Sequence, residues 1–301
     1  MPRLRSALAA APRLLVKRDD AIAFAFGGNK VRKMRLVAAD AVAQQADTLI
    51  TAGGVQSNHA RVTAAAAARL GLRAILVTSG ASGQPAAEPR ANALLDRLLG
   101  AEIIAVESRE ARTAAMEAAA DRERAAGRRP YVIPIGASTP LGAAAFAHAV
   151  IELLEQISPP DVIIHASSSG GTQAGLVAGC ALAGVRTRVV GISADEPRAA
   201  LTAEIRRILA GLADLIGTDR ERFDSADVIV DDDFVGDGYG IPSPAGREAL
   251  ELLARTEALF VDPTYTAKAM AGLIAYIRRG DFSRDQSVVF WHTGGQVAIF
   301  A

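Results

Sequence analysis

Of the 33 lysine and arginine residues in this chain, only Lys17, Lys30, Lys33 and Lys268 are lysine. Arginine stays protonated in proteins, whereas a lysine can lose its proton and act as a nucleophilic amine. A lysine kept against such a bias either does what arginine cannot or is a surface residue left by chance. Lys30 and Lys33 lie in FGGNKVRK, residues 26–33, where two glycines precede what reads as a helix start. Three apart on a helix, the two lysines share a face, and a neighbouring cation disfavours the ammonium form. The pair suits a Schiff-base lysine with a phosphate-binding companion; a solvated helix start is the alternative. A second candidate is SSSGGTQAG, residues 167–175, directly after the apolar run DVIIHA. There Gly170 and Gly171 let the backbone close round an anion at a helix N-terminus, and Ser169 and Thr172 add hydroxyls. The same residues also read as a plain Gly-Ser loop with a helix cap. The third is GGVQSNHA, residues 53–60. In it Asn58 can bond a ring hydroxyl and Ser57 can relay a proton, or either can simply cap the helix.

These residues need a frame. From about Asp47 onward, short apolar runs alternate with longer Ala/Leu/Arg segments. TLITAGG, AILVTSG, EIIAVES, YVIPIG, DVIIHA and RVVGISADE read as strands, nearly continuously apolar as parallel strands covered on both faces must be. Helical segments lie between them, and several end at glycine, as at Gly71, Gly100 and Gly184. A repeated β-α-β pattern predicts an open, mostly parallel α/β fold. Residues 79–89 read as loop, and the acidic run Asp231, Asp232, Asp233 as a solvated loop.

Composition narrows the function. The 33 basic and 33 acidic side chains cancel, which argues against a nucleic-acid partner. One cysteine, Cys180, excludes a disulfide framework, and four scattered histidines offer no i,i+4 chelate, so no metal is expected. No apolar run reaches the ~18 residues of a membrane span. The N-terminal stretch is broken by Pro12 and Arg13, so the expectation is a cytoplasmic protein without a signal peptide. Dinucleotide, P-loop and hydrolase-elbow signatures are absent from the sequence.

Taken together, KRDD (17–20), GGNKVRK (27–33), ADTLITAGGVQSNH (46–59), SSSGGTQAG (167–175), GYGIP (238–242), DPTYTAKAMAGL (262–273) and HTGG (292–295) carry a resemblance. They resemble the D-cysteine desulfhydrase / 1-aminocyclopropane-1-carboxylate deaminase group of fold type II, tryptophan synthase β-like pyridoxal phosphate enzymes. The resemblance implies pyridoxal 5′-phosphate as cofactor, a small amino acid as substrate and a homodimer. It implies two open, mostly parallel three-layer α/β domains with the cofactor in their cleft: a large one over 1–45 and 148–301, and a small inserted one over 46–147. By position, Lys30 matches the Schiff-base lysine, which can also move the α-proton, and Lys33 a phosphate ligand. Asn58 matches the partner of the pyridoxal 3′-oxygen and Ser57 the residue facing the substrate carboxylate. Ser169, Gly170, Gly171 and Thr172 match the phosphate cup, and Tyr239 and Tyr265 two active-site tyrosines.

The expected activity is a lyase β-elimination, most simply of D-cysteine to pyruvate, ammonia and sulfide. Aminocyclopropane deamination, elimination from cysteate or another β-substituted amino acid, racemisation and non-catalytic cofactor binding are the alternatives. The deaminase pattern has Glu after the tyrosine of DPxY and Leu after the histidine of HxGG, where this chain has Thr266 and Thr293. Thr293 is the expected ring-nitrogen contact, with Thr266 beside it among the cofactor contacts; both threonines also read as residues that only tie down backbone. The chain further departs from the family in reading KRDDAIA for KRDDLTG, with sixteen residues before it, and QVAIFA after HTGG. Those ends bear on subunit packing and on the entrance to the cleft.

Overall fold

The structure, a computed structural model, describes residues 1–80 and 88–301. Most of the stretch read as loop at 79–89 lies outside the described residues. In chain order the elements begin α1 (Pro2–Ala7), β1 (Arg13–Arg18), α2 (Asn29–Ala43), β2 (Thr48–Gly54), α3 (Asn58–Leu70) and β3 (Arg73–Ser79). They continue α4 (Ala91–Leu98), β4 (Glu102–Val106), α5 (Ala111–Ala125), β5 (Pro130–Val132), α6 (Pro140–Gln156), β6 (Val162–Ser167) and α7 (Gly171–Ala183). The last are β7 (Arg188–Ser193), α8 (Arg198–Ile216), α9 (Glu221–Asp224), β8 (Ile229–Asp231), α10 (Pro244–Glu257), α11 (Thr266–Arg279) and β9 (Ser287–His292). Gly71 and Gly184 close α3 and α7 in the left-handed conformation that a residue with a Cβ resists.

The chain divides into two compact units: residues 1–22, 26–29 and 139–296, and residues 23–25, 30–138 and 297–301. The first holds a five-stranded parallel sheet in the order β1-β9-β6-β7-β8. Its core lies on both sheet faces, with Val162, Ile164, Val288 and Phe290 toward α10 and α11, and Ile163, Val289 and Trp291 toward α6, α7 and α8. From β6 the chain moves outward through β7 and β8, then returns to place β9 on the other side of β6. The β6–β9 border is therefore a topological switch point, where open α/β sheets leave a crevice at the strands' carboxyl ends. SSSGG follows β6 and HTGG follows β9, so both turns open at that place.

The second unit holds a four-stranded parallel sheet in the order β4-β3-β2-β5. Its switch point is the β2–β5 border, where β2 delivers the chain to Ser57 and α3. The buried strands β2 and β3 are covered on both faces as the apolar runs predict, whereas β4 alternates half-buried and exposed positions. β4 forms the sheet edge, which explains the difference. YVIPIG pairs only as far as Val132, since Pro134 has no N–H for a ladder; a 3-10 turn, Ile135–Ala137, follows. The acidic run also differs from expectation. Asp231 ends β8, is buried, and accepts a hydrogen bond from the Tyr276 hydroxyl. Among the described residues no helix is long and apolar enough to cross a membrane.

Candidate active site

In the first unit, the turn after β6 reaches α7 through Gly170, which is left-handed at φ 77° and serves as the helix N-cap. A Cβ there would meet Ile205 Cγ1 at 3.1 Å as well as straining the backbone. A glycine cap supplies no side-chain oxygen to the first turn of α7; the Gly171 N–H bonds Ser169 O at 3.0 Å, and the positive end of the helix dipole faces the turn. Thr172, in that first turn, accepts a hydrogen bond from Asn29 Nδ2 at 3.0 Å, which leaves its own hydroxyl proton to be donated elsewhere. Ser169 is half-buried in the same turn and Gly171 begins the helix. A single phosphate fits this arrangement of donors.

The turn after β9 is built by close backbone packing. A Cβ on Gly294 would lie 2.5 Å from Gly28 Cα, and one on Gly28 would lie 2.9 Å from Thr293 O. The Thr293 carbonyl accepts from the Asn29 N–H at 2.9 Å, while its side chain is buried with no partner for the hydroxyl among the described residues. His292 steadies the turn. Its Nδ1 accepts from the Gly294 N–H at 3.2 Å, so Nε2 carries the proton and donates to Phe260 O at 3.0 Å. Burial pushes the His292 pKa down, in keeping with a neutral ring.

Thr266 departs from expectation. Its hydroxyl donates to Asp262 Oδ1 at 2.6 Å and accepts from the Asp262 N–H at 2.8 Å. The remaining N–H groups of the DPTYT turn go to the same carboxylate, from Thr264 and Tyr265 to Oδ2 and from Thr266 to Oδ1. Thr266 thus ties down the start of α11 and has no proton left for a cofactor ring. Tyr265 meets Tyr239, hydroxyl to hydroxyl at 2.6 Å, with the rings edge to face. Burial, then Tyr239, pushes the Tyr265 phenol well above its ordinary range, so it stays protonated.

In the second unit, Lys30 follows Asn29 on the first turn of α2 and is partly buried. Burial lowers its pKa from 10.5 to about 8. The neighbour effect expected from the sequence falls on the other lysine: Lys33 is held well below its ordinary value by burial and then by the charge on Lys30. Lys33 is fully buried, and its Nζ donates to Gly136 O at 3.1 Å and Ser138 Oγ at 3.3 Å, just past β5. Its Nζ is therefore engaged twice within its own unit. Ser57 is the N-cap of α3 and accepts from the Ala60 N–H at 3.2 Å. Asn58 begins the helix, and its Oδ1 accepts from Arg61 Nη1 at 2.9 Å and Asn92 Nδ2 at 3.0 Å. Nδ2 of Asn58 remains as its donor.

That holding network was missed from sequence. Arg61 also donates to Asn92 Oδ1 at 2.8 Å, and Asn92 is anchored through its N–H and Nδ2 to Gln56. Asp96 lies one turn beyond Asn92 on α4. The signal was available: Asn58 and Arg61 are three apart, Asn92 and Asp96 four apart, each pair on one helix face. Asp96 is buried with no hydrogen-bond partner for Oδ1 among the described residues. Burial raises its pKa to about 7, opposed by Arg61. A folded-state pKa above the ordinary carboxyl value means that folding takes up a proton between about pH 4 and 7. Stability is then lost as pH rises through that window. Asp96→Asn is expected to raise the stability at pH 8 by up to about 4 kcal/mol and leave it unchanged near pH 4. Thermal melts of both proteins across that range give the result; an equal offset at every pH would contradict it.

Two mixed α/β units, each built on a parallel sheet, have the architecture of fold type II enzymes. The family described as pyridoxal-phosphate dependent enzyme matches residues 1–294, and the chain belongs to it. Its cofactor is pyridoxal 5′-phosphate. Among solved structures it is similar to one described as an ACC deaminase homologue, with TM-score 0.90 and 33% identity over all of this chain and 89% of that one. It is also similar to a fungal L-serine ammonia-lyase from Rhizomucor miehei, with TM-score 0.72 and 19% identity over 100% of this chain and 93% of that one. Serine racemase from Dictyostelium discoideum gives TM-score 0.68 and 15% identity over 97% of this chain and 89% of that one. The last two likenesses show the fold alone.

Cofactor retention gives a direct check on the phosphate turn. Thr172→Ala is expected to weaken it by about 1–3 kcal/mol, the scale for removing a donor to a charged group. Equilibrium titration of the stripped protein with pyridoxal phosphate measures this. Unchanged affinity would place the phosphate elsewhere.

Proposed function

We propose that the enzyme is a lyase that eliminates the β-substituent of a small amino acid, most simply converting D-cysteine and water to pyruvate, ammonia and sulfide. The observation that carries this reading is that Thr293 and Thr266 stand where the deaminase pattern has Leu and Glu. The Asp262 carboxylate beside Thr266 is taken up by three N–H groups of its own turn and by the Thr266 hydroxyl. When bound, pyridoxal phosphate supplies the electron sink that makes the α-carbon acidic. Lys30 Nζ would hold the cofactor as a neutral amine and, as a free amine, would take the α-proton. The α7 N-terminus, Thr172 and Ser169 would hold the phosphate. Asn58, steadied by Arg61 and Asn92, donates to the 3′-oxygen, and Ser57 faces the substrate carboxylate. Tyr239 and Tyr265, sharing a hydroxyl contact, present a protonated phenol to the leaving group. A homodimer in the cytoplasm belongs to the same reading, supported by the family resemblance.

Aminocyclopropane deamination is the second reading, favoured by the 33% identity to a chain described as an ACC deaminase homologue. Product identification by mass spectrometry from a panel of amino acids separates the two.

A further inference from the structure

Lys17, Lys33 and Lys268 are all internal, and the last of them has no part in the site described above. Lys268 lies on α11 with its side chain fully buried. Its Nζ donates to three main-chain carbonyls, those of Ala194, Val235 and Gly238, each at 2.8 Å. Three N–H groups and three acceptors match one to one, so the ammonium is fully satisfied without a carboxylate in contact. A guanidinium is planar and broader, and cannot converge on three carbonyls around a single nitrogen. This accounts for a lysine in a chain that otherwise uses arginine.

The three carbonyls belong to two segments. Ala194 directly follows β7, a central strand of the first sheet, whereas Val235 precedes and Gly238 ends the GDG turn that delivers Tyr239. Residues 236, 238 and 240 are glycines at positive φ, so this turn has little stiffness of its own. We propose that Lys268 is a positioning residue: by clamping the Tyr239 loop to the end of β7, it holds the Tyr239 hydroxyl against that of Tyr265. The inference rests on the reading that Tyr239 faces the substrate. A misplacement of ~1 Å at such a group costs about 10²-fold in rate.

The experiment is a double-mutant cycle on the holoenzyme with Lys268→Arg, Tyr239→Phe and their combination. kcat and KM are measured with the amino acid that the panel finds active, and amide hydrogen exchange is followed over residues 235–240. Lys268→Arg is expected to lower kcat/KM about as much as Tyr239→Phe and to speed exchange across 235–240 at least tenfold. The double variant should be no worse than either single one. Lys268→Met, which removes the charge as well, should behave as Lys268→Arg does; if it fails to fold, the arginine variant carries the test. Multiplying effects in the double variant, or unchanged exchange in Lys268→Arg, would overturn the proposal. If Tyr239→Phe alone left the kinetics unchanged, the reading of Tyr239 would fail, and the exchange measurement would still decide whether Lys268 clamps the loop.

Discussion

Borohydride reduction of the purified holoenzyme should fix the cofactor on Lys30 alone, and Lys30→Ala should lower kcat by about 10³-fold or more. The size follows from the two tasks proposed for this one side chain, binding the cofactor covalently and moving the α-proton, which would be lost together. The site follows from comparing the lysines. Lys268 Nζ is held by three carbonyls, and Lys33 Nζ by Gly136 and Ser138. Lys17 is bound to Glu152 and Gln156. Burial lowers the ammonium of Lys30 to about 8, and although Lys33 and Lys268 are lowered as well, their Nζ atoms are engaged as above. A drop from 10.5 to about 8 makes the neutral amine roughly 300-fold more abundant at neutral pH. The pH at which free Lys30 becomes reactive should fall accordingly, and reductive labelling of the stripped protein against pH measures it. Peptide mapping of the reduced holoenzyme that found the adduct on Lys33 or Lys268 would overturn the assignment.

What the sequence made legible was the local chemistry. The glycine- and hydroxyl-rich turns at 167–175 and 53–60 stand at strand-to-helix junctions, because a strand ending in Gly or Ser before a helical apolar stripe has a readable signature. β1 escaped that reading: RLLVKR is short and finds its partner β9 more than 250 residues later. Side-chain direction was equally out of reach. Nothing in DPTYT shows that the Thr266 hydroxyl turns back to Asp262. The lysine scarcity pointed to Lys30 for a sound reason, but it pointed to Lys268 as well, whose reason is geometric. Only the folded chain shows three carbonyls from distant segments converging on one ammonium. The Arg61–Asn92–Asn58 network is similar, since it joins α3 to α4 across residues that are neither adjacent nor marked by composition.

The proposed reaction turns on what Thr293 would do for the ring nitrogen. A carboxylate there holds a proton on the nitrogen, because a nearby negative charge favours the cationic form. The Thr293 hydroxyl is neutral, and among the described residues it is unpartnered; in the proposed role it would bond the nitrogen without holding a full charge on it. Thr266 cannot compensate, since its proton already goes to Asp262. Asp262 itself is bonded by three backbone N–H groups and that hydroxyl. On the reading proposed above, neither Thr293 nor Thr266 supplies the strong electron withdrawal that opening an unactivated cyclopropane demands. Expelling a thiolate or sulfite from the β-carbon demands less, because the leaving group itself accepts the electrons. D-cysteine, L-cysteine, cysteate and aminocyclopropanecarboxylate assayed side by side should therefore give pyruvate from at least one of the first three. The last should release 2-oxobutanoate at least about 10²-fold more slowly, the scale on which one misplaced or missing charge acts in an active site. Thr293→Ala should slow elimination and shift the absorption of the bound cofactor, while Thr266→Ala should lower the melting temperature with little spectral change. Efficient 2-oxobutanoate release with no elimination from the other three would show that the proton on the ring nitrogen is held by a group other than Thr293, and would make ring opening the reaction of this enzyme.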